Sequence, residues 1–123
     1  MKETHIFIIE SQAIVRLDLR LQLEKTGYTI HWAIPLTNVK EALGKLKPDL
    51  IIINFDLCRQ ESYPPIREIM FHHQIPIIYL GVNRVADVNA NSDLNIVGAF
   101  STPYMNNEII DLVKKYFTHT ITE

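Results

Sequence analysis

The 123-residue chain has little of several features on which common protein functions depend. Its single cysteine, Cys58, excludes an internal disulfide framework and is compatible with a reducing compartment. Its four glycines never cluster, so the sequence has no glycine-rich loop of the kind that cradles phosphates. No apolar run approaches the roughly 20 residues that span a bilayer. A formal net charge of -2 gives no basis for a nucleic-acid-binding surface.

These absences leave a globular protein. The length suits one domain over residues 1–123 with a full hydrophobic core. Residues 1–5 lead directly into an apolar run and include no hydrophobic segment of a signal peptide. We therefore expect a soluble, cytoplasmic protein without a membrane partner.

Short β-branched runs alternate with amphipathic stretches along the chain. The runs cover residues 6–9, 28–32, 50–53, 75–80 and 96–100. Their near-continuous apolarity is typical of parallel strands that are covered on both faces. The alternation predicts an α/β fold with right-handed crossovers. We expect a flavodoxin-like, doubly wound, five-stranded parallel sheet in the order 2-1-3-4-5, with helices on both faces and the site at the carboxyl edge.

The apolar spacing predicts which side of each helix faces the core. The predicted inward residues are Ile14, Leu17, Leu21 and Leu23 in the first helix, Val39, Leu43 and Leu46 in the second, Ile66, Ile69 and Met70 in the third, and Ile109, Leu112, Val113 and Phe117 in the last. Residues 82–95 are rich in asparagine and aspartate, which are poor helix formers. We expect a short or irregular fourth helix there.

Four segments resemble, in order, the receiver domain of two-component response regulators (the CheY-like family). They are IIESQAIV at 8–15, PDLIIINFDL at 48–57, IPIIYL at 75–80 and GAFSTPY at 98–104. Each segment alone is a weak match, but all four in the right order and spacing are specific. The resemblance covers essentially the whole chain.

The resemblance implies a site that has lost its reaction. Receivers have two adjacent acids after the first strand that help to bind Mg²⁺; here Glu10 keeps one carboxylate and Ser11 replaces the other. Asn54 stands where the family has its phosphoacceptor aspartate. Its amide is no nucleophile for phosphorus and brings no charge to a metal. Asp56 matches the position that contributes a backbone carbonyl to the metal.

The positions that complete the receiver switch also differ from the family pattern. Gly81 replaces a hydroxyl residue, Ala99 an aromatic residue and Thr102 the lysine before a proline. The resemblance implies a cis peptide bond before Pro103. A single engineered change at position 54 would not explain these further losses.

We therefore expect no enzymatic activity and no resident cofactor. Mg²⁺ prefers an octahedral oxygen shell that includes carboxylates, and too few remain. Two alternatives stay open. Glu10 and Asp56 could form a weak Mg²⁺ site, or Asp56 or Ser11 could accept a phosphoryl group instead.

The leading functional hypothesis is an atypical receiver (pseudo-receiver) that acts by protein–protein interaction without phosphorylation. The implied partners are a histidine kinase, another receiver or an output domain. The expected contact surface is the fourth helix, fifth strand and fifth helix, which also suits a homodimer. Five residues are assigned to this surface: Met105, Asn106, Asn107, Ile109 and Ile110.

The alternative is a small-ligand-binding domain with a polar pocket at the strand edge. Its candidate hydrogen-bonding groups are Glu10, Ser11, Asn54, Ser101 and Thr102. An open pocket would favour this alternative. A collapsed site, with Asn54 bonded to Ser11 or Thr102, would favour the interaction module.

Three other residue types are given ordinary structural roles. Trp32 is predicted to pack under a neighbouring helix, and Cys58 to be an unreactive loop thiol. The pair His72 and His73 is predicted to complement the carboxyl end of the third helix rather than to bind a metal.

Overall fold

The structure, a computed structural model, describes the backbone of residues 3–121 and the side chains of residues 3–118. The elements in chain order are β1 (His5–Ile9), α1 (Ala13–Lys25), β2 (Thr29–Trp32), α2 (Leu36–Lys45), β3 (Leu50–Asn54), a 3₁₀ turn (Phe55–Arg59), α3 (Pro64–His73), β4 (Ile77–Leu80), α4 (Val85–Asn89), β5 (Ile96–Phe100) and α5 (Asn106–Ile121). All five strands are parallel, in the order β2-β1-β3-β4-β5. The predicted flavodoxin-like fold is confirmed.

A separate hydrophobic core lies on each face of the sheet. Alternate residues of β1 and β3, such as Phe7 and Ile51, pack with α2 and α3. The residues between them, such as Ile8 and Ile52, pack with α1 and α5. Because both faces of the central strands are covered, these strands need apolar residues at every position. This is why they read as continuous apolar runs.

The inward side of α1 differs from the prediction except at Leu23, which is buried as predicted. Ile14, Leu17 and Leu21 are 85%, 51% and 49% exposed, whereas Leu19 and Leu23 are fully buried. The helix therefore carries apolar residues on two opposite sides. Both sets have helical spacing, so periodicity alone could not decide which one faces the sheet.

The predicted packing of Trp32 under a helix is also wrong. Trp32 ends the edge strand β2 and is 42% exposed. The guanidinium carbon of Arg16 lies 4.1 Å from the centre of its ring. The indole is therefore covered on one side by a cation rather than by an apolar helix face.

The fourth helix is as short as its composition predicts, with five residues from Val85 to Asn89. The segment that follows it is held by Arg67 of α3. The guanidinium of Arg67 donates to both carboxylate oxygens of Asp93, at 2.8 and 3.2 Å, and to the side-chain oxygen of Asn91 at 3.1 Å. Two of the polar residues that weaken the helix thus serve as anchor points for the loop.

Candidate functional site

The predicted site lies at the carboxyl edge of the sheet, where the parallel strands end together. Glu10 follows β1, Asn54 is the last residue of β3, and Gly81 follows β4. Thr102 lies in the loop between β5 and α5. Strand order alone brings these four residues, which are far apart in sequence, to one place.

A hydrogen bond between Asn54 and Glu10 occupies the centre of the site. Glu10 is fully buried, and its Oε1 accepts from Asn54 Nδ2 at 2.9 Å. Its Oε2 accepts from the backbone N–H of Gln12 at 3.0 Å. Asn54 Oδ1 in turn accepts from the backbone N–H of Asp56 at 2.9 Å, which caps the 3₁₀ turn. Among the described residues, the partners of the buried carboxylate are therefore neutral donors and not a cation.

Arg16 is close in space but serves another role. Its Nη1 donates to the backbone carbonyl of Glu10 at 2.8 Å while its guanidinium covers Trp32. Arg16 thus ties α1 to the end of β1 without pairing with the Glu10 carboxylate.

Thr102 is held by a residue that sequence reasoning did not identify, Asn83. Both the backbone N–H and the hydroxyl of Thr102 donate to Asn83 Oδ1 at 2.9 Å. These bonds join the β4–α4 loop to the β5–α5 loop, in which the Thr102–Pro103 peptide is cis. An asparagine three residues after the end of a strand was the available signal, because its side chain readily bonds loop backbone.

The remaining predicted site residues are placed differently. Gly81 has a φ of +76°, and a Cβ there would lie 3.6 Å from Asn54 Oδ1. A hydroxyl residue at that position would therefore be strained. Asp56 is exposed and forms an ion pair of 3.1 Å with Arg59. Ser11 and Ala99 are also exposed, and neither lines the cleft.

An open cleft of about 880 Å³ lies over this site. Six carboxamide side chains line much of it: Gln12, Gln22, Asn54, Asn83, Asn106 and Asn107. Asp18 and Asp56 are its two carboxylates, and no lysine, arginine or histidine of the described chain lines it. Asn54 is bonded to Glu10 and not to Ser11 or Thr102, so the collapsed arrangement that would have favoured the interaction module is not the one observed.

Asp18 is the cleft carboxylate whose partners are both neutral. Side-chain amides of Asn106 and Gln22 donate to its Oδ2. These hydrogen bonds, that of Asn106 first, lower the pKa of Asp18, so the group stays ionised at neutral pH. Asn106 therefore joins α5 to α1.

Two residues assigned to the interaction face belong to the core. Ile109 and Ile110 are buried against the sheet. Their place on a contact surface is thus corrected, because a core side chain is not available to a partner. Met105, which is 64% exposed, and Asn107 are the exposed members of the predicted set.

Other reactive groups do not form a second reaction centre in the described part of the chain. Burial raises the pKa of the Cys58 thiol to about 12, so this thiol is not activated. No group of three or more histidine, cysteine, aspartate or glutamate side chains is placed to hold a metal within residues 3–118. None of the described helices has the length and apolarity to cross a membrane.

Comparison with known proteins identifies the fold. The chain has the receiver-domain fold. Similar solved structures include a two-component response regulator from Clostridium difficile (TM-score 0.82, 19% identity, 96% of this chain and 98% of that one) and the receiver domain of the TMAO respiratory system response regulator TorR (TM-score 0.78, 19% identity, 94% and 98%). The beryllofluoride-activated NtrC receiver domain has a TM-score of 0.73 at 16% identity, over 97% and 98% of the two chains.

Sequence comparison gives a weaker result. No family model matches the chain. The transcriptional regulatory protein YxdJ of Bacillus subtilis (strain 168) is 32% identical over 75 residues, which are 61% of this chain and 33% of that protein. The match thus covers about a third of the length of this curated relative. At these identities the likeness to solved structures shows the fold alone.

Proposed function

We propose that this receiver-like domain is a signalling module of a two-component system that acts by protein–protein interaction without being phosphorylated. The observation that carries the proposal is the 2.9 Å hydrogen bond from Asn54 to the buried carboxylate of Glu10. Asn54 has no carboxylate oxygen to attack phosphorus. Its amide also occupies one oxygen of the carboxylate that a catalytic Mg²⁺ would need.

The surroundings of Asn54 support the same conclusion. Thr102 offers no positive charge to an acyl phosphate, and its hydroxyl is already bonded to Asn83. The left-handed backbone at Gly81 disfavours a hydroxyl side chain beside Asn54. Ala99 has no ring that could move between exposed and buried positions. We expect neither enzymatic activity nor a resident cofactor.

The proposed contact surface is formed by α4, β5 and the amino-terminal end of α5. Val85 and Met105 are its exposed large apolar side chains, and Asn107 is also exposed. Exposed apolar groups in a polar setting are typical of sites for transient partners. The partner class would be a cytoplasmic histidine kinase, another receiver, an output domain or a second copy of this chain.

Phosphorylation can be tested directly by mass. The purified domain would be incubated with acetyl phosphate and Mg²⁺ beside a working receiver as positive control. We expect no phosphoryl adduct on the wild type or on Asn54→Asp, because Ser11 and Thr102 still lack the matching acid and lysine. The triple variant Ser11→Asp/Asn54→Asp/Thr102→Lys should gain labelling. An adduct on Asp56 or Ser11 of the wild type would overturn the proposal.

The open cleft favours a second candidate function, the binding of a small polar ligand. A volume of about 880 Å³ is in the range of ligand sites. Five side chains were predicted to supply hydrogen bonds in such a pocket: Glu10, Ser11, Asn54, Ser101 and Thr102. Two of them, Asn54 and Thr102, line the cleft.

A further inference from the structure

Two histidine rings are in contact at the β2 edge of the sheet, and neither lines the cleft. His5 begins β1, and His31 of β2 lies opposite Phe7, so strand alternation places both rings on the face that α2 and α3 cover. His5 Nδ1 lies 2.9 Å from His31 Nε2, and the ring centres are 5.1 Å apart. At this distance the two nitrogens share one hydrogen bond. One of them carries the proton, and the other must offer a lone pair.

Acidic groups lie beside His5. A carboxylate oxygen of Glu3 is 3.5 Å from its other ring nitrogen, Nε2. Asp49 Oδ2 accepts from the backbone N–H of His5 at 2.8 Å. A proton on His5 is therefore compensated by negative charge, and the ring can then donate its Nδ1–H to His31 Nε2. We expect the first proton that the pair takes up to reside on His5.

Cations lie beside His31 instead. Among the described residues, His31 lines an open hollow together with Arg20 of α1 and Lys45 of α2. Burial, and then the charge of His5, lower the pKa of His31, which Glu3 offsets only in part. While His31 accepts through Nε2, its own proton is on Nδ1, so a second proton must go to Nε2 itself. Protonation of both rings therefore removes the acceptor and places two positive charges against each other.

The strand that carries His31 is held less firmly than the central strands. β2 has four residues, none of them buried, and its one neighbour in the described sheet is β1. The His31 ring also lies against Phe7, with ring centres 6.4 Å apart, and Phe7 is only 2% exposed. Loss of the histidine bond should therefore loosen the edge strand and uncover part of the core behind it.

We propose that His5 and His31 form a proton-sensitive latch on the edge strand. The latch holds β2 on β1 while at most one of the two rings is protonated, and it opens when the second ring takes up a proton. Its signal is acidification to below about pH 6.5, where histidine takes up protons. Because β2 and β5 are opposite edges of the sheet, the latch depends neither on the cleft nor on the proposed contact surface.

The first test is an NMR titration of the intact wild-type domain between about pH 5 and 7.5, the range in which histidine titrates. The ring resonances of His5 and His31 should move together in two linked steps, because the protons are taken up by the pair. Amide protection factors of residues 29–32 should fall about two- to tenfold through the second step, the range that corresponds to the net contribution of one hydrogen bond. Those of residues 77–80 in the inner strand β4 should stay unchanged.

Three variants separate the latch from ordinary fraying of an edge strand. His31→Gln keeps a hydrogen-bonding group near the position of Nε2 but cannot be protonated, so residues 29–32 should stay protected throughout the titration. His31→Phe keeps a ring without the bond and should lose that protection already near pH 7. The control His72→Gln should retain the wild-type response to acid. Independent one-step titration of the two rings in the wild type, equal protection of residues 29–32 at both ends of the range, or a wild-type acid response in His31→Gln would each overturn the proposal.

Discussion

Replacing Asn54 by aspartate, the residue that the resemblance to receivers implies at this position, should destabilise this domain in the absence of a metal. The wild-type amide donates to the buried carboxylate of Glu10 at 2.9 Å. Aspartate cannot donate when ionised, and it places a second negative charge against the first. The free energy of unfolding should therefore fall even though the side chain keeps its size.

Two physical costs, charge repulsion and protonation, set the size of this loss in the free energy of unfolding. Two unit charges that relax to about 4 Å repel by about 4 kcal/mol at an effective dielectric constant near 20. Alternatively one carboxyl takes up a proton, which near pH 7 costs about 4 kcal/mol for a group whose ordinary pKa lies about three units lower. The variant will adopt whichever of these two states costs less free energy. Because position 54 is partly exposed, solvent screening lowers that cost further. We expect a loss of about 3 kcal/mol near pH 7.

The assay is urea unfolding followed by circular dichroism, near pH 7 and near pH 4.5, with and without Mg²⁺. The loss should shrink at the lower pH, where protonation costs little, and Mg²⁺ should restore part of it near pH 7. Asn54→Ala, which removes the donor without adding charge, should cost about 1–3 kcal/mol with little dependence on Mg²⁺.

A polarity-reversed pair provides the matched control. In Glu10→Gln/Asn54→Asp, the new glutamine can donate to the new aspartate and still accept from the backbone of Gln12. This variant should recover most of the stability that Asn54→Asp loses. If Asn54→Asp is as stable as the wild type near pH 7 without Mg²⁺, the two side chains are not in contact and the reasoning about the site is refuted.

Three further predictions concern the scaffold. Leu19→Ala should cost about 2–5 kcal/mol because Leu19 is fully buried, whereas Leu17→Ala on the outer side of α1 should cost far less; similar losses in chemical denaturation would contradict the assigned orientation. Burial, and secondarily the neighbouring His5, lower the pKa of His31. The contribution of His31 to the free energy of unfolding is therefore complete above about pH 6.5 and declines as the pH falls. His31→Gln should make the melting temperature less dependent on pH between about pH 5 and 7, while His72→Gln should leave that dependence unchanged. Arg67→Gln should accelerate amide hydrogen exchange over residues 85–95, and Arg59→Gln, which breaks an exposed pair elsewhere, should leave that segment unchanged.

The fold followed from local features of the sequence, but the contacts of the site did not. Apolar runs such as 50–53 and the polar composition of 82–95 have the same meaning wherever they lie in a chain. The bonds that Thr102 donates to Asn83 and that Asn106 donates to Asp18 join residues 19 and 88 positions apart in sequence, and they depend on loop conformations that no periodicity encodes. The orientation of α1 was missed for a related reason. Two apolar stripes compete on one helix, and only the neighbouring sheet decides between them.

Asn54 fits both of its hydrogen-bond partners in this site. Glu10 Oε1 can only accept when ionised, and the backbone N–H of Asp56 can only donate, so the two partners together fix which way the Asn54 amide points. An aspartate would satisfy the backbone but not Glu10, and an alanine would satisfy neither. Asparagine satisfies both, and it supplies by hydrogen bonding part of what a cation would supply by charge. The buried acid beside it can therefore persist at the sheet edge without a metal.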